Sequence, residues 1–219
     1  MLCELHPINR NEYKRMKYKK LFSLGLLLLI LLYVGISGCQ SRSTPKPRGF
    51  FRIALPEKHY EDLPNSYPFS FQIPRYAHIS DYQGGFQKTE QTEDWININF
   101  PDFNANIYIT YKPVEQNLAQ LIEDAHTFVY KHTLKADGIS QKRFDNSPAN
   151  VSGVLYHIKG NTASSIQFFC TDSATNFLRG ALYFNAEPNR DSLAPVIDFL
   201  GKDVEVILST MKWKNKTEK

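Results

Sequence analysis

The stretch that sets the fold is WININFPDFNANIYITYK, residues 95–112. Apolar and polar side chains alternate through its first six positions and again over residues 106–112, which is typical of strands with one buried face. The intervening Pro101-Asp102-Phe103-Asn104 predicts a hairpin loop. The stretch therefore predicts two antiparallel strands that bury one face of a sheet.

Further strands and two helices are predicted before and after this hairpin in the chain. The strands, which share the alternation or are short apolar runs, are predicted at residues 67–74, 151–159, 164–171 and 177–185, and residues 50–56 are predicted to be a short apolar strand or an arm that ends at Pro56. Apolar residues recur at three and four over residues 115–132 and 191–211, which predicts two amphipathic helices. Asn117 and Asp191 are expected to cap them, with Pro195 in the first turn of the second helix and Gly201 as a weak point inside it.

These elements predict an α+β domain in which a single antiparallel sheet is covered by the two amphipathic helices. The order of strands, central helix, strands and closing helix resembles the Mog1/PsbP-like fold. That resemblance rests on element order alone, so it carries no functional inference.

A different pattern precedes the domain. Basic residues 14–20 are followed by the apolar run 21–34 and then by Ile36-Ser37-Gly38-Cys39. This order predicts a secretory signal peptide over residues 1–38. Its last four residues resemble a lipobox, which implies cleavage between Gly38 and Cys39 and attachment of a palmitate-type diacylglyceryl group to the Cys39 thiol.

An uncleaved membrane anchor is the alternative interpretation of residues 21–34. It is disfavoured because this run is shorter than the about 20 residues that span a bilayer, although Ile36 could extend it. Met16 and the basic residues behind it already open a complete signal peptide. We therefore expect Met16 to be the initiator, with residues 1–15 an over-extended gene start.

Composition limits what the remainder can be. Removing residues 1–38 leaves 181 residues with 20 basic and 20 acidic side chains, so the net charge of the mature chain is zero. This balance gives no support to nucleic-acid binding, which needs a basic face. We expect residues 39–48 to be the lipidated cysteine and a flexible tether, 49–211 a globular domain, and 212–219 a basic tail.

No catalytic or metal-binding motif is recognisable. Cys170 is the single cysteine after Cys39, so it forms no intramolecular disulfide and is expected to be a buried hydrophobe, with a reactive thiol as the minority alternative. The histidines after residue 39 show no metal-ligand spacing; they are His59, His78, His126, His132 and His157. There is no GxSxG elbow, P-loop or GxGxxG. We predict a protein that is not an enzyme and needs neither metal nor cofactor.

Two further features have structural and functional interpretations. The aromatic residues of the proline-rich first third are expected to anchor that arm on the core or, as the alternative, to contact a partner; they are Phe50, Phe51, Tyr60, Tyr67 and Tyr76. Ser173 and Ser192 follow aspartates in tripeptides that resemble acceptors of periplasmic O-glycosylation. Asp and Ser are also the residue types expected in turns and at helix N-termini, which accounts for both tripeptides without glycosylation.

Five parts of the sequence are specific enough to indicate a family. These are PKPRGFFRI at 45–53, FNANIY at 103–108, YKH at 130–132 with KAD at 135–137, FFCTDS at 168–173 and FLRGALYF at 177–184. Together they resemble the gliding motility-associated lipoprotein GldD family, over essentially all of the mature chain. The departures are Phe50 in place of Tyr, Cys170 in place of an aliphatic residue, and the additional residues 1–15 in front.

The resemblance implies a cell-envelope lipoprotein required for gliding motility and associated with type IX protein secretion. It would act as a non-enzymatic accessory or assembly component, with the membrane and proteins of that machinery as partners. Gln40, rather than Asp, follows Cys39, and no acidic run follows it, so we expect an outer-membrane lipoprotein facing the periplasm. A small-ligand or glycan-binding envelope lipoprotein is the alternative, and an envelope hydrolase using Cys170 or Ser173 is a less favoured one.

Overall fold

The structure is a computed structural model that describes residues 10–36, 53–64, 66–81 and 94–214. The chain divides into two units, Met1–Gly49 and Phe50–Lys219. In the first unit, helix α1 (Arg10–Ile36) contains the basic segment and the apolar run of the expected signal peptide. No helix among the described residues combines the length and apolar character needed to cross a membrane. Cys39 and the tether lie outside the described residues.

The second unit contains strands and two helices in a mixed order. Its described elements are β1 (Tyr60–Asp62), β2 (Phe69–Ser70), β3 (Gln72–Pro74), β4 (His78–Asp81), β5 (Ile96–Phe100), β6 (Ala105–Pro113), α2 (Leu118–Tyr130), β7 (Ala136–Asn146), β8 (Val151–Gly160), β9 (Ser164–Thr171), β10 (Asn176–Phe184), α3 (Arg190–Thr210) and β11 (Lys212–Trp213). Seven strands form an antiparallel sheet in the order β4-β5-β6-β10-β9-β8-β7. The predicted α+β class is therefore confirmed.

The expectation of a single sheet is wrong in detail. The segment predicted as one strand over residues 67–74 is split at Phe71 into β2 and β3. Strand β3 pairs with β1, and β2 pairs with β11, so two small sheets accompany the large one. The predicted basic tail over residues 212–219 begins with strand β11, in which Lys212 pairs with Ser70 of β2. Residues 215–219 are outside the described part.

Helix α3 covers one face of the large sheet. Alternation along β5, β6, β9 and β10 sends Ile98, Ile107, Phe168 and similar residues to this face, where they form the larger hydrophobic core. Gly201 lets the helix approach the sheet closely, since a β-carbon there would lie 3.2 Å from Ile166 Cδ1. Gly201 is therefore a packing position as well as a break in helix propensity.

Helix α2 covers part of the opposite face. Its buried residues Leu121, Ala125 and Val129 pack with Tyr156 and Phe169 in a second, smaller core. The two predicted helices are thus confirmed, and they lie on different faces of the sheet. The remainder of the α2 face carries polar side chains from β5, β6, β9 and β10.

One of the two expected caps is found. Asn117 is the N-cap residue of α2 and follows Gln116, which has a left-handed φ of 61°, but the Asn117 side chain accepts a hydrogen bond from the Glu115 N–H and makes no capping bond to the helix. Helix α3 is capped by Asn189, whose side chain accepts from the Ser192 N–H. Asp191 is therefore not the cap, and Pro195 lies beyond the first turn.

Two strands of the large sheet were not predicted. Strand β7 is an edge strand whose side chains are mostly exposed, so its sequence lacks an apolar alternation. Strand β4 forms the other edge and has four residues. The predicted loop between β5 and β6 is confirmed, as a 3-10 turn over Pro101–Phe103 followed by Asn104 at φ 47°.

Candidate functional site

A fully buried carboxylate on α3 ties the segment before β1 to the domain. Asp203 is 0% exposed, and Lys58 Nζ donates to its Oδ1 at 2.5 Å. The Tyr60 hydroxyl donates to the same oxygen at 2.8 Å, and the Tyr76 hydroxyl donates to Oδ2 at 2.5 Å. We call these four residues the Asp203 cluster. Three donors, two from the segment at the start of β1 and one from the turn after β3, therefore compensate one buried charge.

Lys58 makes two further contacts, and both tyrosines of the Asp203 cluster remain protonated. Lys58 Nζ also donates to the Phe199 carbonyl at 3.0 Å and lies 3.7 Å from the centroid of the Phe199 ring, a cation–π contact. Burial, followed by the hydrogen bond to Asp203, raises the pKa of both Tyr60 and Tyr76. Both hydroxyls consequently keep their protons at neutral pH and remain donors.

The aromatic residues expected to anchor the arm or to meet a partner are found within the domain where they are described. Tyr67 stacks on Phe69 with ring centroids 5.6 Å apart. Tyr76 stacks on Phe199 at 5.7 Å, and Tyr60 belongs to the Asp203 cluster. Phe50 and Phe51 lie outside the described residues. A partner contact at any of the five stays a prediction.

A groove of about 680 Å³ lies beside Tyr60, between α3 and the edge of the large sheet. Its apolar lining comes from Phe144, Leu155, Val206 and Leu208. Charged side chains stand around it, among them Lys142 and Glu205, whose Nζ and Oε1 are 3.8 Å apart. The groove has the size of a ligand pocket and carries both signs of charge.

The nucleophile candidates have structural roles in this fold. Cys170 is 0% exposed, and burial raises the pKa of its thiol, which opposes formation of a reactive thiolate. Ser173 sits exposed in the β9–β10 turn at φ 64°. Among the described residues, no hydrogen bond joins a histidine to either side chain.

Asp172 builds the turn that contains Ser173. Its carboxylate accepts the backbone N–H groups of Ala174, Thr175 and Asn176 at 2.8–2.9 Å. Partial burial acts to raise the pKa of Asp172, but these three donors hold it well below its usual range. The turn chemistry expected for Asp172-Ser173 is therefore what the structure contains.

Three of the histidines have identifiable surroundings in the domain. The Tyr156 hydroxyl and His126 Nδ1 are hydrogen-bonded at 2.8 Å. Burial, and then the nearby Arg179, lower the pKa of His132, and burial is also the main cause of the lowered pKa of His157. Within the described ranges, no group of three or more side chains is arranged to hold a metal ion.

The polar part of the α2 face is a second candidate region. Arg179 on β10 donates to Gln167 Oε1 on β9 at 2.7 Å. Gln167 Nε2 and Asn97 Oδ1 are buried and have no hydrogen-bond partner within the part of the chain that the structure describes. Asn97, Tyr108, Ala181 and Gln167 lie in one row across four adjacent strands.

Sequence reasoning missed the residues that organise both regions. A signal for Asp203 was present, because the residue falls on the apolar stripe of α3 between Leu200 and Ile207. Arg179 and Gln167 occupy strand positions where a polar side chain normally faces solvent. Their proximity depends on the β9–β10 register, in which Arg179 lies opposite Phe169.

Comparison with known proteins shows which family the chain belongs to. The family model for the gliding motility lipoprotein GldD matches residues 40–213, beginning directly after Cys39. The chain belongs to the GldD family. No match is found among curated proteins.

Among solved structures, the GldD-family chain is similar to the solution structure of cyanobacterial PsbP (CyanoP) from Synechocystis sp. PCC 6803. The two are 8% identical with a TM-score of 0.39, over 70% of this chain and 95% of that chain. The α+β class itself rests on the strand order and helix positions of this chain.

Proposed function

We propose that this GldD-family chain is a lipid-anchored, non-enzymatic accessory component of the gliding machinery and of type IX protein secretion. It is exported by its signal peptide, cleaved between Gly38 and Cys39, and held by palmitate-type acyl chains on Cys39. The globular unit then works in the periplasm at the outer membrane, where it stabilises or assembles larger envelope complexes. Proteins of that machinery and the lipid surface are its partners.

The observation that carries this proposal is the family match over residues 40–213. It starts at the residue that would follow the lipidated cysteine, so the matched region and the expected mature chain nearly coincide. Gln40 at the following position supports the outer membrane, since Asp is the residue that often retains lipoproteins in the inner membrane.

The described side chains support a non-catalytic role. Asp203, the fully buried carboxylate, is bound by three donors that also hold the arm in place, which is a structural use of its charge. Cys170 is sealed in the core, and Asp172 completes a turn. Asp203, Cys170 and Asp172 thus have structural roles that account for their residue types.

Deletion of the gene and complementation test this function. Wild-type protein should restore spreading on agar and secretion of type IX cargo. The double variant Cys170→Ala/Ser173→Ala should restore both to within about twofold, because a catalytic nucleophile typically contributes several orders of magnitude in rate. Full gliding in the deletion strain would overturn the machinery role. Failure of a stable double variant to complement would favour the hydrolase.

The groove beside Tyr60 favours small-ligand or glycan binding as a second function. Its volume and its mixed apolar and charged lining suit a sugar or a peptide segment. Binding there should raise the melting temperature with one class of compound, and Val206→Trp should remove that shift by filling the groove. A ligand that stabilises the Val206→Trp variant equally binds elsewhere.

A further inference from the structure

Strand β7 is a long edge of the seven-stranded sheet. It contains 11 residues and pairs with β8 along one side, and none of the strands in residues 53–64, 66–81 and 94–214 pairs with its other side. Most of its side chains are exposed. An edge strand presents backbone N–H and C=O groups that can pair with a further strand. The outer side of β7 is therefore a candidate pairing surface.

The features that usually protect such an edge are incomplete in β7. Native edges are commonly blocked by charged side chains or by bulges that disturb the pairing. The bulge of β7 lies between Ala136 and Gly138, at the start of the strand, and the rest of the strand keeps a regular register. The charged residues of the strand have both signs; they are Asp137, Lys142, Arg143 and Asp145. A strand with both signs of charge can attract a suitably arranged partner.

The charges of β7 complement a second copy of the same strand. A two-fold axis through Ser140, perpendicular to the sheet, would place Asp137 opposite the partner's Arg143 in an antiparallel pair. The same axis would place Lys135, which directly precedes the strand, opposite the partner's Asp145. Each contact occurs twice by symmetry, and unlike charges directly opposite each other stabilise a strand pair.

Neighbouring two-fold axes lack this complementarity. Residues that face each other in an antiparallel pair point to the same side of the sheet, so the axis must pass through a residue position. An axis one position later, through Gln141, would set Asp137 against the partner's Asp145. An axis one position earlier would set Lys135 against the partner's Arg143. Like charges directly opposite each other are destabilising, so the charge pattern favours the axis described above.

The side of β7 that faces α3 has room for such a pair. Phe144 and Lys142 lie on this side, where they line the groove beside Tyr60. Across the axis, Phe144 would face the partner's Ala136, and Lys142 would face the partner's Gly138. A β-carbon on Gly138 would meet nothing within 4 Å, which leaves space for the lysine side chain. The partner strand would therefore border the groove and extend its lining.

We propose that two copies of this chain pair antiparallel along the outer side of β7, centred on Ser140, and join their large sheets into one continuous sheet. A second copy is favoured over an unrelated extended peptide because the charges of the strand are arranged to complement themselves. Leu134 lies just before β7 and is 97% exposed, and a second copy at this edge would shield it. This dimer requires neither lipid attachment nor a role in gliding, so it can fail independently of the proposed function.

Sedimentation equilibrium of the purified full chain in density-matched detergent tests the pairing. Wild type should show a concentration-dependent equilibrium between monomer and dimer. Arg143→Asp sets like charges against the partner's Asp137 and should weaken dimerisation at least tenfold. Adding Asp137→Arg restores unlike charges and should return the affinity to within about threefold of wild type. Lys112→Asp is the matched control, since it makes a comparable charge change at an exposed position of β6, and it should cost less than threefold.

Cysteine cross-linking tests the register in a full-length Cys3→Ala/Cys39→Ala chain, in which Cys170 is buried. Directly opposite residues have β-carbons about 4.5–5.5 Å apart, close to the span of a disulfide. Ser140→Cys should therefore cross-link to its own copy in air with copper phenanthroline. The two copies of Lys142→Cys would lie about 13 Å apart along the strands, so this control should not cross-link.

Four results would each overturn this dimer. The first is a wild-type chain that stays monomeric at the highest concentration used, and the second is an Arg143→Asp chain that dimerises as tightly as wild type. The third is failure of Asp137→Arg to recover the affinity lost in Arg143→Asp. The fourth is cross-linking of Lys142→Cys that equals or exceeds that of Ser140→Cys. A dimer that forms elsewhere, for example through α1, would give the second and third results.

Discussion

Removal of the Asp203 carboxylate should destabilise the domain more than any surface change on α3. Asp203→Ala leaves the Lys58 ammonium and the hydroxyls of Tyr60 and Tyr76 without their acceptor. Breaking a buried ion pair by deleting one partner costs about 3–5 kcal/mol. The Lys58 side chain is 23% exposed and can regain contact with water, so we expect the lower end, about 3 kcal/mol.

Urea unfolding followed by circular dichroism measures this loss. With a slope of about 2 kcal/mol per molar urea, the midpoint should fall by about 1.5 M. Asp198→Ala is the matched control, because Asp198 is an exposed acid on the same helix. Its midpoint should stay within about 0.3 M of wild type, since surface substitutions usually change stability by under 0.5 kcal/mol.

A double-mutant cycle separates the ion pair from other effects. Lys58→Met combined with Asp203→Leu removes both charges, and such apolar replacements are often nearly neutral. The double variant should therefore be less destabilised than Asp203→Leu alone, with a coupling energy between Lys58→Met and Asp203→Leu of at least about 1 kcal/mol. Strict additivity, or a midpoint for Asp203→Ala equal to that of Asp198→Ala, would refute the view that this carboxylate holds the arm.

Three other predictions concern packing and pH. Gly180→Ala should destabilise the domain by about 1–3 kcal/mol in urea unfolding, because the new β-carbon would lie 2.1 Å from the buried Phe168 ring. An unchanged urea midpoint would contradict the close packing of Phe168 on Gly180. Burial raises the pKa of Tyr156 to about 12, so between pH 10 and pH 12 the unfolded chain loses this proton before the folded chain does, and the free energy of unfolding should fall. Tyr156→Phe should show a shallower fall over this range. An identical pH profile in the variant would contradict the raised pKa of Tyr156. Asp172 has a folded pKa below its unfolded value, so its stabilisation is present above about pH 4 and is lost as pH falls below that. Asp172→Ala should cost about 1–2 kcal/mol at pH 7 and less at pH 2, and a loss that is equal at both pH values would show that the carboxylate charge is not what orders the turn.

The sequence predicts the elements that have one buried and one exposed face, because such elements show a regular period of apolar residues. The β5–β6 hairpin alternates cleanly because one face lies in the core, and α2 and α3 show their apolar stripes for the same reason. Strand β7 could not be predicted this way, since an edge strand that exposes most side chains leaves no such pattern. The split of residues 67–74 depends on pairing with β1 and β11, which are distant or very short partners.

The candidate sites depend still more on tertiary contacts. Asp203 was detectable as an acid on an apolar stripe, but its donors Lys58 and Tyr76 lie more than 120 residues away in the chain. Arg179 and Gln167 meet through the register of β9 and β10, which the sequence alone does not specify. Absence of a catalytic motif could be read from the sequence, whereas the structural uses of Asp172, Cys170 and Asp203 required coordinates.

The most direct test of the central claim is a Cys39→Ala variant expressed in the deletion strain, with membrane fractionation and spreading on agar measured together. Lipid attachment to this thiol is proposed to hold the globular unit where the gliding machinery needs it. The variant should leave the membrane fraction, or remain as unprocessed precursor, and the cells should not spread. Processed Cys39→Ala protein that still fractionates with membranes in cells that glide normally would contradict the account.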